Sequence, residues 1–483
     1  MMEREKMLNK DALDLFNKIR ALVPGKNYVD RIFVMELLLF KHMSKIQKNL
    51  LIQEKLNEED LLKKIGYIIK PEFLWENLNV DSDYSNMSRF FAESEFDVKE
   101  IFQNEFGSYK KVEKREIISE LLKIIDSVNF DCDDEYFGDF IEEFICLYRM
   151  ENYRYSSVFL TAESINKLLS ELVINNIKDK EISIYDPTSG VGASLLSVGK
   201  KIKEKMPDTN VSYWGQELNV QTIQIEWINF MAHSISSKNI NLFNEDTLGS
   251  KPITVDGKVK QFDVVVEDPP YSMRWDNNDD KLQDPRFKSY EKLPPKTKAD
   301  FAFLLQGLYS LKDNGIMTIV LPQGVLFRGA KEGHIRKLLL ENNLVDAIVG
   351  LPANVLDETT IPVAVIILKK NKQSDDVLFI DASREFGKNK YKKNILREKD
   401  ITKIADTYNG RKIVEKYSHI ASLDEIRKND YNLNISRYVD TYEGKPKIDI
   451  NLAAKTIKEL DNQLVEIKKR EKHWIQVIDE LKK

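Results

Sequence analysis

The chain has 483 residues, 42% of them apolar and 31% charged, and a net charge of −5. That length implies two or three domains, and the absence of any run of about 18 apolar residues argues against a membrane span. Cys132 and Cys146 are the only cysteines, which excludes a disulfide framework or a cysteine-built zinc site and predicts a reducing cytoplasm; the acidic balance argues against an unaided grip on DNA.

Residues 1–147 carry helical periodicity without strand signals, which predicts an all-α N-terminal domain. Leu13, Leu15, Phe16 and Ile19 are expected on one face, and Ile32 to Phe40 is expected to form a buried helix. Phe73, Trp75, Phe90, Phe91 and Phe96 supply core aromatics. The acidic run Asp131 to Glu135 reads as a solvated turn rather than a metal loop, and Lys110, Lys111, Lys114 and Arg115 as a solvated face rather than a phosphate contact.

From about residue 148 strands alternate with helices, which predicts a doubly wound α/β domain over 148–410. Phe159-Leu160-Thr161-Ala162 leads into a helix carrying Ile165, Leu168, Leu169 and Leu172, with Thr161 as its expected N-cap. A strand over Ile182–Tyr185 runs into Asp186-Pro187-Thr188-Ser189-Gly190-Val191-Gly192 and then a second helix. A dinucleotide fingerprint needs a third glycine three residues on, and that position is Leu195. The turn therefore suits a ligand without a pyrophosphate. S-adenosyl-L-methionine is such a ligand: Gly190 and Gly192 would admit its methionine part and Asp186 would sit near its ammonium. A plain tight turn explains an isolated G-x-G equally well.

A second strand, Val211–Gly215, leads to Glu217, an acid placed to bind ribose hydroxyls, and a helix is expected over 220–235. A third, Asn239–Leu242, is followed by Asp246-Thr247-Leu248, where an acid can accept from an adenine amino group. A fourth, Phe262–Val266, ends in Glu267-Asp268-Pro269-Pro270-Tyr271. If these strands are parallel, all four acids share one edge of the sheet. The amine of a nucleobase is a poor nucleophile because its lone pair is delocalised into the ring. A side-chain oxygen of Asp268 and the carbonyl of Pro269 can accept its N–H groups, the prolines can hold that carbonyl still, and Tyr271 can stack on a base turned out of the duplex. The chemistry read from these residues alone is amino-group methylation, with no metal.

The segment 272–298, with its three prolines, is expected to be a lid or binding loop. A helix over Ala299–Leu311, a strand over Gly315–Leu321, a helix over 331–341 and strands at Val345–Val349 and Val363–Leu368 complete a mixed sheet, with Val377–Ile380 as its added edge. Residues 388–393 form a basic loop with an embedded aromatic, suited to nucleic acid or to plain solvation. The remaining stretch, 411–483, is read as a C-terminal tail for subunit assembly. In it Ile457, Leu460, Leu464, Ile467, Glu471, Trp474, Ile478 and Leu481 are spaced alternately three and four, a heptad seam that either packs on its own chain or, the favoured reading, pairs with a helix of another subunit. No G-x-x-x-x-G-K-[ST] stretch exists, which disfavours hydrolysis and motor activity.

With these residues read, the chain resembles the modification (methylation) subunits of type I restriction-modification systems from about residue 150 to about 440. The likeness rests on Asp186-Pro-Thr-Ser-Gly190-Val-Gly192, Gln216-Glu217, Asp246-Thr-Leu248 and Asp268-Pro-Pro-Tyr271. Lys298-Ala-Asp-Phe-Ala-Phe303, Val320-Leu-Pro-Gln-Gly-Val-Leu-Phe-Arg-Gly329, Gly350-Leu-Pro-Ala-Asn354 and Asn432-Leu-Asn-Ile-Ser-Arg-Tyr438 add to it. Position 268 is Asp, the residue that other amino-methyltransferase groups use, where this family usually has Asn, and Ala162 stands where the family has Pro. The resemblance implies an S-adenosylmethionine-dependent methyltransferase fold, with a helical domain before it and a helical tail after it. It implies transfer to adenine N6 of double-stranded DNA with the adenine flipped out. The implied catalytic residues are Asp268, Pro269, Pro270 and Tyr271. The implied cofactor residues are Phe159, Thr161, Asp186, Thr188, Ser189, Gly190, Val191, Gly192, Glu217, Asp246 and Asp268. It further implies a specificity subunit, shared by two such chains, and leaves room for a restriction or translocase subunit. Cytosine-N4 or another amino-methylation, and a catalytically silent scaffold subunit, are the alternatives.

Overall fold

The computed structural model describes residues 2–22, 28–77, 112–128, 134–151, 161–356, 359–389, 392–442 and 450–481. Phe90, Phe91, Phe96, Lys110, Lys111, residues 131–133, Phe159, Lys390 and Tyr391 lie outside these, as do the side chains of Lys114 and Arg115. Two units make up the chain, a large compact one, Met1–Val439, and a smaller one, Asp440–Lys483.

The first unit is built on a nine-stranded sheet: β1 (Glu181–Asp186), β2 (Asn210–Glu217), β3 (Ile240–Asn244), β4 (Phe262–Glu267), β5 (Leu311–Pro322), β6 (Val345–Gly350), β7 (Val363–Lys369), β8 (Val377–Asp381) and β9 (Ser418–Ala421). Their order across the sheet is β9-β8-β6-β7-β5-β4-β1-β2-β3. β1 pairs in parallel with both β2 and β4, β2 with β3, and β4 with β5. β7 runs antiparallel to its neighbours β5 and β6, and β9 antiparallel to β8. β4 lies inside the sheet with both faces covered, which is why it reads as an unbroken valine run: Val264, Val265 and Val266 are fully buried; the edge strand β3 is only half-buried. The strand order reverses between β1 and β4, so the ends of these two strands flank the crevice in which open α/β sheets bind ligands.

The sheet differs from expectation at one margin. Val377–Asp381 is an internal strand, and the edge is β9, from beyond residue 410. β9 is four residues, Ser-His-Ile-Ala, too short and too polar to signal itself.

The helices that cover the sheet near the crevice are α6 (Glu163–Val173), α7 (Ala193–Lys205), α8 (Val220–Ala232), α9 (Asp300–Tyr309) and α10 (Ala330–Glu341), numbered after the N-terminal helices of the described residues: α1 (Met2–Leu22), α2 (Tyr28–Asn49), α3 (Glu58–Ile65), α4 (Val112–Asp126) and α5 (Asp134–Glu151). The N-cap of α6 is Ala162 and not Thr161: Ala162 takes the extended dihedrals and carries no side-chain cap. In α2 every residue from Ile32 to Phe40 is buried, Glu36 included. In α1 Leu15, Phe16 and Ile19 are buried while Leu13 is 44% exposed. Leu13 follows buried Ala12 by one position, a step of about 100° round the helix that carries it off the buried stripe of Leu8, Ala12, Leu15, Phe16 and Ile19. α2 and α5 both pack on α8, which joins the helical part to the sheet.

The second unit holds one helix, Ile450–Leu481. Ile457, Leu460, Leu464, Ile467, Trp474 and Ile478 are all exposed, as is Glu471. Among the described residues of the chain, no helix is long and apolar enough to cross a membrane.

Candidate active site

The four strand-end acids lie along one edge of the sheet, since β1 to β4 all run the same way. Gly190 and Gly192 both take positive φ (57° and 77°), which side chains disfavour. A Cβ on Gly192 would come within 2.4 Å of Phe230, so the turn presses directly on α8. Ser189 N–H donates to the Gln216 carbonyl (2.9 Å), and Asn229 Nδ2 holds the Val191 carbonyl (2.9 Å). Thr161 comes to the same place by relay: its carbonyl accepts from Asn166 Nδ2 (3.2 Å), and Asn166 Oδ1 accepts from Ser194 Oγ (2.8 Å) at the start of α7.

Glu217 Oε2 accepts the Gly190 N–H (3.2 Å) and Oε1 the Asn219 N–H (2.7 Å), so this acid is aimed back over the glycine turn. Asp246 is exposed and accepts the Leu248 N–H at 3.0 Å, while Thr247 Oγ1 donates to the Pro187 carbonyl and binds this loop to the first turn. Asp186 is 2% exposed and accepts from Thr188 N–H (2.9 Å) and Oγ1 (3.3 Å). Burial pushes its carboxyl up to about 8, and Asp268 and Glu217 add to that against the Thr188 bonds. Burial also raises Glu217, against its backbone hydrogen bonds.

Two further acids, which periodicity hid, belong to the cluster. Glu226, on α8, accepts from Ser189 Oγ (2.8 Å) and has its other oxygen buried without a hydrogen bond. Glu267, the last residue of β4, is fully buried and neither of its oxygens has a hydrogen bond. Burial holds both well above the usual carboxylate range, with Asp186 adding to each. The sequence did carry a signal for Glu226, an acid inside the apolar run Ile223-Gln-Ile-Glu-Trp-Ile228. Asp268 and Glu217 both disfavour the charged form of Asp186, a repulsion that a ligand bearing positive charge would relieve.

The tetrapeptide at the end of β4 is braced from two sides. The Tyr271 hydroxyl donates to Asp268 Oδ1. Ser272, at φ 52°, donates its N–H to Asp300 Oδ1 (2.7 Å), and Arg328 Nη1 bonds Asp300 Oδ2 and Glu332, both at 2.9 Å. Asp300 is fully buried, so this strut works out of water.

The 272–298 segment is no free lid. Trp275, Phe287, Tyr290 and Leu293 are buried in the core, and the segment is closed at its base by the Ala299 N–H on the Met273 carbonyl (2.9 Å). Arg286, 2% exposed, donates to Asp284, to the Thr247 and Ser250 carbonyls (2.8 and 2.9 Å) and to Gln306 Oε1 (2.9 Å). Gln306 donates to the Tyr185 hydroxyl (3.0 Å), which donates to Gln216 Oε1. One buried polar chain thus links the Asp246 loop, the segment after the tetrapeptide and the residue beside Glu217.

Comparison with known proteins agrees with this geometry. The model of the family described as N-6 DNA Methylase matches residues 132–447. The type I restriction enzyme MpnII methylase subunit of Mycoplasma pneumoniae is 34% identical over 88% of this chain and 79% of its own length. The MjaVII methylase subunit of Methanocaldococcus jannaschii is 31% identical over 76% of this chain and 62% of its own length. The crystal structure of a type I restriction-modification system methyltransferase subunit from Streptococcus thermophilus superposes with a TM-score of 0.78 at 33% identity, covering 90% of this chain and 99% of that one.

Proposed function

This chain belongs to the N-6 DNA methylase family, and from that premise we propose that it works as the methylating subunit of a type I restriction-modification complex. It is an S-adenosylmethionine-dependent DNA methyltransferase acting on adenine N6. The observation that carries the reading is the single sheet edge on which a glycine turn, Glu217, Asp246 and Asp268-Pro-Pro-Tyr271 succeed one another on four parallel strands.

When bound, S-adenosylmethionine supplies an electrophilic methyl group on a sulfonium sulfur. Its cationic groups suit the carboxyl-lined crevice: Asp186 and the Gly190–Gly192 turn would hold the methionine part, Glu217 the ribose and Asp246 the adenine. The target adenine, flipped from the duplex, would place its amine against an Asp268 oxygen and the Pro269 carbonyl, with Tyr271 against the ring. The Tyr271 hydroxyl bonds Asp268 Oδ1, so an entering amine exchanges that bond or meets the other oxygen. The amine nitrogen would bond to the methyl carbon as the sulfur–methyl bond breaks in line with it; the sulfur would leave as the neutral thioether of S-adenosylhomocysteine and the amine's surplus proton would pass to water, with no cysteine needed as nucleophile.

Cofactor binding should be coupled to a proton. Asp186 is held at about 8, above the ordinary carboxylate value, so its contribution to stability is full at low pH and is lost as pH rises towards 8. A bound cation reverses this by favouring the carboxylate. Calorimetry at pH 7 in buffers of different ionisation enthalpy should show about one proton released on binding, with affinity rising between pH 6 and 8. Asp186→Asn should remove that proton; an unchanged buffer dependence would take Asp186 out of the ligand's reach.

The partners are double-stranded DNA and a specificity subunit, with two copies of this chain to one such subunit, in the cytoplasm. In this division residues 1–147 form the helical segment, 148–410 the catalytic segment and 411–483 the assembly tail, although the tail's first strand completes the sheet. The exposed seam from Ile457 to Ile478 is the docking surface. Removing residues 450–483 should leave cofactor binding intact and abolish co-elution with the specificity subunit in size-exclusion chromatography; a complex that still forms would refute the docking role. The reading as a whole is tested by mass spectrometry of DNA nucleosides after incubation of the complex with labelled cofactor. Label in N6-methyl-2′-deoxyadenosine is expected, and label in N4-methyl-2′-deoxycytidine or in no nucleoside would overturn it.

A further inference from the structure

Base-modifying enzymes pay for unstacking the target, and an apolar side chain placed in the stack offsets that cost. Among the described residues of the first compact unit, Phe327 is an exposed aromatic suited to that place. Phe327 is 50% exposed although it lies in the turn that follows β5, the strand hydrogen-bonded to β4. Glu267 of β4 is level with Ile319 of β5, so Asp268 and the prolines lie beside the last residues of β5. Phe327 follows one short 3-10 turn (Gln323–Leu326) further along the chain, past the end of the strand that flanks the catalytic strand.

The backbone around it is fixed at every step. Phe327 N–H and Arg328 N–H both donate to the Gly324 carbonyl (3.2 and 3.0 Å). Arg336 Nη1 donates to the Val325 and Arg328 carbonyls (3.0 and 2.8 Å), and the Leu433 N–H to the Leu326 carbonyl (2.9 Å). Arg328 bonds Asp300, and Asp300 accepts the Ser272 N–H next to Tyr271. An exposed ring would ordinarily sit on a yielding loop; this one sits beside Arg328, which is tied through Asp300 to Ser272, the residue after the catalytic tetrapeptide. Such a mount suits a part that must stand at a set distance from the site where the flipped base is held.

We propose that Phe327 enters the base stack at the position the target adenine leaves. The proposal rests on the base-flipping methyltransferase reading and adds the residue that holds the gap open. The ring fits this place by chemistry, because every base presents a π face and stacking is tolerant of sequence.

The test uses the assembled complex and duplexes containing the site that the wild-type complex methylates, either matched or with the target adenine opposite an abasic position. Phe327→Ala should lower kcat/KM on the matched duplex by on the order of 10–100-fold, the fold-change of one lost stacking contact. It should leave cofactor affinity unchanged by calorimetry, and it should approach wild-type rates on the abasic duplex, where flipping costs little. Phe327→Trp should restore the matched rate. If Phe327→Ala methylates the matched duplex as wild type does, or loses equally on both duplexes, Phe327 is not the wedge. Absence of methylation by the wild-type complex would overturn the functional reading instead, so the two failures are distinct.

Discussion

Asp268→Ala should abolish methyl transfer while cofactor still binds. Asp268 ends β4 at the crevice, and its task in the proposed chemistry is to accept an N–H of the target amine. Removing one oriented polar partner of a reacting group costs on the order of 10²–10³ in kcat, and here the loss also frees the Tyr271 hydroxyl that Asp268 Oδ1 accepts. The variant carries a second signature. Asp268 is one of the charges that raise Asp186, so its removal should lower the pH at which the cofactor-linked proton is released. Asp268→Asn should retain transfer, because an amide oxygen accepts the same N–H, and should show the same lowered proton-release pH. Single-turnover methylation and calorimetry together decide the matter: an active Asp268→Ala enzyme would end the mechanism proposed here.

Arg286→Met should be the most damaging single change outside the acid cluster. The guanidinium is 2% exposed and satisfies two backbone carbonyls, Asp284 and Gln306 at once. Removing one partner of a buried ionic network leaves the others unsatisfied and costs about 3–5 kcal/mol. Methionine fills the volume but donates nothing. Because the same chain of bonds runs through Gln306 and Tyr185 to Gln216, cofactor affinity should fall as well. Denaturant unfolding of the full chain and calorimetry measure the two losses. A stability within about 1 kcal/mol of wild type, the scale of an ordinary single hydrogen bond, would show that the network is not what fixes this segment.

What could be read in advance follows from which features write themselves in one dimension. Of the four parallel strands, β4 was legible because burial of both faces forces consecutive valines, and β1, β2 and β3 chiefly because an acid ends or follows each at the crevice. The glycine turn was legible because positive φ demands glycine. The buried polar links were not: Asp300 reads as an ordinary acid at a helix start, and Arg286 as one more charge in a charged loop. Their partners lie 28 residues apart for Asp300 and Arg328, and 39 for Arg286 and Thr247, and no local pattern encodes such a pairing. Glu226 and Glu267 show the same limit from the other side, since burial of an acid contradicts its average behaviour. Thr161 failed as a cap because the residue after it adopts the capping dihedrals, a one-residue shift that composition does not resolve.

The helix Ile450–Leu481 has a further consequence, in how the cell must ration this protein. Ile457, Leu460, Leu464, Ile467, Trp474 and Ile478 stand open to water, a contiguous oily stripe of the kind that makes an unpartnered protein prone to clumping and to surveillance by proteases and chaperones. Copies synthesised beyond the supply of their partner would be the ones removed. The ratio of the assembled enzyme's components would then be enforced after translation, by disposal of the surplus, and synthesis need only be approximate.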